Sequence, residues 1–92
     1  MTTEAFKLEY PIEVDGIETD TLNLRRITIG DLEDLDANKN AKTERQRIIK
    51  LLSAISGAPE KSIKQMDAYD FERAVEQVMV FLGVPSQESE NS

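Results

Sequence analysis

The sequence predicts an α+β fold, an N-terminal β-hairpin followed by three to four short helices. Three observations carry the prediction. Apolar residues alternate with polar ones from Phe6 to Val14; the repeat becomes helical after Arg25-Arg26; and Gly57 and Gly83 each follow an apolar helical stripe, where a left-handed glycine ends a helix.

The hairpin is expected over about residues 6–25. Phe6, Leu8, Tyr10, Ile12 and Val14 alternate with Lys7, Glu9 and Glu13, the period of a half-buried strand, and Asp15-Gly16 supplies the turn before Leu22 and Leu24 in a second strand. A two-residue turn would pair Val14 with Ile17 and Leu8 with Asn23. A three-residue loop would pair Leu8 with Leu24 and Tyr10 with Leu22, and it is preferred here because it buries more apolar surface. Pro11 has no N–H for a ladder bond, so it marks an edge position or a bulge.

Helices are expected at about 29–37, 43–56, 59–65 and 68–82. The first opens on Thr28, which forms a capping box with Asp31, and buries Leu32 and Leu35. In the second, Ile48, Leu51, Leu52 and Ile55 follow the i, i+3, i+4, i+7 spacing of a core-facing stripe, and Gly57 closes it. Pro59 suits the first position of the third, where its missing N–H is no loss, and Ile63 and Met66 give it an inner side. Asp67 caps the fourth, Asp70 in its first turn suits the helix dipole, and Met66 and Phe71 are spaced as a hydrophobic staple; Gly83 ends it and Pro85 blocks resumption. Residues 1–84 therefore read as a single small domain, and the acidic stretch 85–92 as a disordered tail with nothing to bury.

Composition narrows the chemistry. The 92 residues contain no histidine, cysteine or tryptophan, which removes thiol nucleophiles, soft metal ligands, disulfides and the side chain best suited to proton transfer near neutral pH. There is no glycine-rich phosphate loop and no nucleophile paired with a base, so neither catalysis nor a cofactor is expected. No apolar run approaches the roughly 18 residues of a membrane span, and no signal-like segment opens the chain, which points to the cytoplasm. The net charge of −7 divides into −7 over residues 1–38, +5 over 39–66 and −5 over 67–92. The basic island has no interleaved aromatics and lies between acidic neighbours, so a solvated helix face is favoured over a nucleic-acid site.

Residues 34–45 invite a calcium reading, because Asp34, Asp36 and Asn38 stand at alternate positions like the first ligands of an EF-hand loop. The sixth position, however, is Lys39 where the turn needs glycine, and the twelfth is Arg45 where a bidentate glutamate should bind. An acidic helix fraying at Asn38–Asn40 into a basic one accounts for the segment, and no metal is expected. The acids of DGIETD belong to a hairpin turn and could flank a sugar bond only within a cleft.

Folding leaves an apolar surplus at Val78-Met79-Val80-Phe81-Leu82. Successive helical side chains step by about 100°, so five in a row encircle the axis. With Phe71 as zero, Val75, Val78 and Leu82 fall within about 40° and form the inner stripe, Met79 and Phe81 lie about 80° to either side, and Val80 points away. Either the hairpin and the preceding helix enclose the segment, or it waits for a partner. Met79, Val80 and Phe81 are the candidate contact residues, with Ile49, off the stripe of its own helix, as a weaker companion.

The order of elements, the stretch LNLRRITIGDL at 22–32 and the stretch LLSAISGAPEKSIKQMDAYDF at 51–71 together resemble the phage tail assembly chaperone family of Mu-like contractile-tailed phages and prophages, from about Phe6 to about Gly83. The resemblance implies a small non-enzymatic protein of the bacterial host cytoplasm. Its expected partner is the long helical tape-measure protein, kept from aggregating until tail-tube subunits polymerise around it, with the chaperone absent from the finished virion. Contacts with tail-tube subunits and self-association are further expectations. The family supplies no catalytic residues. A reading of a different class, suggested by the charge, is an acidic phage or prophage regulator that mimics DNA or occludes a host protein; its binding would collapse with added salt, whereas apolar binding would persist.

Overall fold

The computed structural model describes residues 3–37 and 41–83. The expected acidic tail, Pro85 and the connection at 38–40 lie outside them. The fold is α+β: an antiparallel hairpin of β1 (Thr3–Val14) and β2 (Ile17–Arg25) precedes α1 (Ile29–Ala37), α2 (Glu44–Ser56), α3 (Glu60–Ile63) and α4 (Ala68–Phe81). Phe6, Leu8, Ile12, Leu22 and Leu24 of the hairpin meet Ile48, Leu51, Leu52 and Ile55 of α2 and Ala74, Val78 and Phe81 of α4 in one core.

The hairpin register differs from the expected three-residue loop. Asp15 and Gly16 form a two-residue turn with φ of 53° and 82°, the paired positive values of a type I′ turn, and Val14 faces Ile17. Ile12 pairs with Thr19 and Lys7 with Thr21, so the four residues Leu8–Pro11 stand against Asp20 alone. This bulge, at the position Pro11 marked, shifts the register beyond it and sets Phe6 opposite Leu22. Neither expected pair forms: Leu8 and Tyr10 lie in the bulge, Tyr10 with 55% of its surface exposed, Leu24 stands opposite Glu4, and the apolar pair beyond the bulge is Phe6 with Leu22.

Local chemistry fixes the helix ends. Thr28 Oγ1 accepts from Asp31 N at 3.2 Å and Asp31 Oδ2 accepts from Thr28 N at 2.9 Å, a reciprocal capping box. A second box, not recognised in the sequence, joins Thr43 and Gln46 at the start of α2. Gly57 ends α2 at φ 81° and donates to Ser53 O, and Ser53 Oγ donates to Ala58 O at 2.6 Å, which draws the chain tightly into α3. Pro59 is the N-cap of α3 and not its first helical residue; its carbonyl accepts from Ser62 N and Ile63 N.

Asp31 also anchors α1 to the hairpin, accepting from the two terminal guanidinium nitrogens of Arg25 at 2.8 and 2.9 Å. Arg25, and then the Thr28 amide, hold the Asp31 carboxyl well below the usual carboxylate range. Because the folded-state pKa is depressed, the stabilisation is present above the unfolded value of about 4 and is lost as pH falls below it. Asp31→Asn is therefore expected to cost about 1–2 kcal/mol near neutrality. Urea midpoints for variant and parent should converge as pH falls from about 5 toward 2, below the ordinary aspartate range.

Candidate functional site

α4 carries the apolar surplus, and its orientation is set by a buried acid. Asp70 is fully buried: Oδ1 accepts from Glu9 N at 3.1 Å and Oδ2 from Tyr10 N at 2.9 Å, while Arg73 Nη1 donates to Oδ1 at 2.9 Å. Glu9 and Tyr10 lie in the bulge, where the four-against-one mismatch interrupts the ladder, so the carboxylate supplies acceptors that the neighbouring strand does not. The Arg73 guanidinium completes the arrangement, 4.9 Å from the centre of the Phe6 ring and 5.7 Å from that of Tyr69. Asp70 thus joins α4 to the hairpin, a role beyond the helix-dipole partner expected from its position.

With Asp70 inward, the buried stripe of α4 is Asp70, Ala74, Val78 and Phe81. Phe81, a predicted contact residue, is only 8% exposed, and Arg26 lies over its ring at 5.7 Å. Leu82, expected in the inner stripe, is 40% exposed. Met79 is half-buried on the same flank of α4 as Phe71 and Val75. Val80 is 64% exposed on the outer side, along with Tyr69 three turns away. Ile49 is half-buried against the core and lines a hollow of about 250 Å³ with Ile63, Met66 and Phe71. The structure therefore brings Ile49 to the Phe71 end of the flank that carries Met79, places Val80 on another face, and puts Phe81 in the core.

Charge is distributed around this apolar flank. Exposed Arg45 and Lys64 border the hollow on the side of α2 and α3, and exposed Glu72 borders it on α4. The hairpin is acidic, with Glu4, Glu9, Glu13, Asp15, Glu18 and Asp20 all exposed. Among the described residues, no group of three or more Asp or Glu is placed to hold a metal ion; Asp36, of the calcium pattern, lies in α1 and pairs with Arg47 at 3.0 Å. No described helix is long and apolar enough to cross a membrane.

The class so defined is a small, charged α+β protein that carries an apolar flank on its last helix. The chain belongs to the phage tail assembly chaperone family: the family model for phage tail assembly chaperone proteins, E, or 41 or 14, matches residues 5–83. No curated protein and no solved structure matches it. The matched span runs from the first strand to the glycine that ends α4, so it includes the bulge, Asp70 and the apolar flank. Its general role is chaperoning in phage tail assembly, with a tail protein as client.

Proposed function

We propose that the client is the tape-measure protein, which the chaperone binds in the bacterial host cytoplasm and keeps soluble until the tail tube polymerises around it, leaving before the virion is finished. The action is binding alone, with no reaction and no cofactor. The observation that carries this reading is apolar surface on α4, with Val80 64% and Leu82 40% exposed, on a chain of net charge −7. Long apolar helices aggregate through surfaces of the same kind, and a charged body that covers them keeps the complex in solution.

Co-expression with the long helical product of the neighbouring tail gene tests it. The expected result is a soluble complex that survives about 1 M salt, where surface charges are screened within about 3 Å, and finished tails free of the chaperone. A client that precipitates equally with and without the chain would overturn the proposal. Dissociation by salt alone would favour the acidic regulator.

A further inference from the structure

We propose that the client seats as an amphipathic helix along the Phe71–Leu82 flank of α4, with acidic side chains on one of its edges and basic ones on the other. This rests on the chaperone reading above and assigns it a place and a client chemistry.

Phe71, Val75, Met79 and Leu82 follow the i, i+4, i+8, i+11 spacing of one helical ridge, about 16 Å long, which three turns of a client helix would cover. The first three are half-buried and Leu82 is more open, so the ridge is apolar surface that the fold only partly covers. At the Phe71 end it meets the hollow floored by Ile49, Ile63 and Met66. At about 250 Å³ the hollow is smaller than the roughly 300 Å³ at which small-molecule sites begin, and its size suits one large apolar side chain. A pocket for one anchor followed by a ridge is the geometry of helix-in-groove recognition, which is read through i, i+3, i+4 and i+7 positions.

The two rims differ in sign. Arg45 and Lys64 line one side of the hollow; Glu72, with Glu76 one turn further on, lines the outer edge of α4, and all four are exposed. A helix with one kind of charge on both edges would be repelled along one rim. Mixed edges satisfy both rims, and because turning a helix end for end exchanges its edges, the rims also fix the direction in which the client lies. A second copy of this chain is a poorer occupant. Pairing that sets acid against base across a two-fold axis runs the two α4 helices parallel and places hollow against hollow, with Phe71 lining its own hollow and unable to fill the other.

The test uses the full chain and three synthetic three-heptad helices with leucine at a and d and edges that are mixed, all glutamate or all lysine. Affinity is read by fluorescence anisotropy at about 0.15 M salt, where long-range attraction from the −7 charge is largely screened. The mixed peptide should bind about tenfold more tightly than the glutamate peptide and about threefold more tightly than the lysine peptide, the scale of a few exposed pairs. R45E/K64E makes both rims acidic, and its tightest ligand should become the lysine peptide. Equal affinities for the three peptides, an unchanged order in R45E/K64E, or a chain that dimerises through this ridge in sedimentation would each overturn the proposal. The same variant co-expressed with the tape-measure protein separates the two readings. Peptide selectivity without solubilisation of the tape-measure protein removes that client and keeps the groove; solubilisation by parent and R45E/K64E alike, with no peptide selectivity, removes the groove and keeps the client.

Discussion

Asp70→Ala is expected to lose about 2–4 kcal/mol, the scale for leaving two backbone amides without an acceptor, since the guanidinium of Arg73 is 35% exposed and can turn to water. A chain of this size has a total stability of order 5–10 kcal/mol, so much of the margin goes with one side chain. Three donors lose their acceptor together: the amides of Glu9 and Tyr10 and the Arg73 guanidinium. The two amides have no simple replacement, because they belong to the bulge where Leu8–Pro11 face only Asp20. Asp70→Asn tests the same point with almost no change of shape. Donors converge on both carboxylate oxygens, two on Oδ1 and one on Oδ2, so either orientation of the amide turns its NH2 toward an N–H; a loss of about 2–3 kcal/mol is expected. Urea denaturation followed by circular dichroism measures both. A loss below about 1 kcal/mol for Asp70→Ala would mean that water replaces the carboxylate and that α4 is held to the hairpin by apolar packing alone.

The parts of this fold that were legible in the sequence are those whose cause lies within a few residues. Asp15-Gly16 specifies a turn through its own backbone freedom, Gly57 a helix end, and Thr28 with Asp31 a helix start; each is present at its expected place, although the turn has two residues and not the three that apolar pairing favoured. Thr43 and Gln46 have the same three-residue signature and could have been read in the same way. The register was not legible, because the bulge that sets it is supported by a carboxylate 60 and 61 residues further along the chain. Hydropathy assigns aspartate to water, so no pattern of apolar residues could place Asp70 inside. The misreading of α4 follows from the same residue: a stripe centred on Phe71 omits Asp70, and restoring it turns the helix by most of one residue step of about 100°. That rotation brings Phe81 inward and Leu82 outward. It also makes Phe71, Val75 and Met79 a half-exposed flank, and no local signal showed that Ile49 would meet that flank at a hollow.

Phe81→Ala and Leu82→Ala should therefore differ sharply, although the residues are neighbours with side chains of similar hydrophobicity. Phe81 is 8% exposed in the core beside Val78, and truncating a buried phenylalanine typically costs about 3–5 kcal/mol, from lost transfer energy and the cavity left behind. The lower half of that range applies here, since the residue is in the last turn of α4, where the helix end can relax. Part of the loss comes from Arg26, whose guanidinium lies over the ring; its bond from Nη2 to the Phe81 backbone carbonyl, 3.3 Å, survives the truncation. Leu82 is 40% exposed, so its truncation should cost less than about 1 kcal/mol. Binding should show the opposite order once both variants are measured under conditions where each is folded. Leu82→Ala removes the open end of the ridge and should weaken capture of a leucine-rich helix several-fold, whereas folded Phe81→Ala retains all four ridge side chains and should bind nearly as well as the parent. Paired urea and anisotropy measurements separate the effects. If Leu82→Ala destabilised the fold more than Phe81→Ala, α4 would have the phase that hydropathy alone assigns it, Asp70 would face solvent, and the ridge would be part of the core.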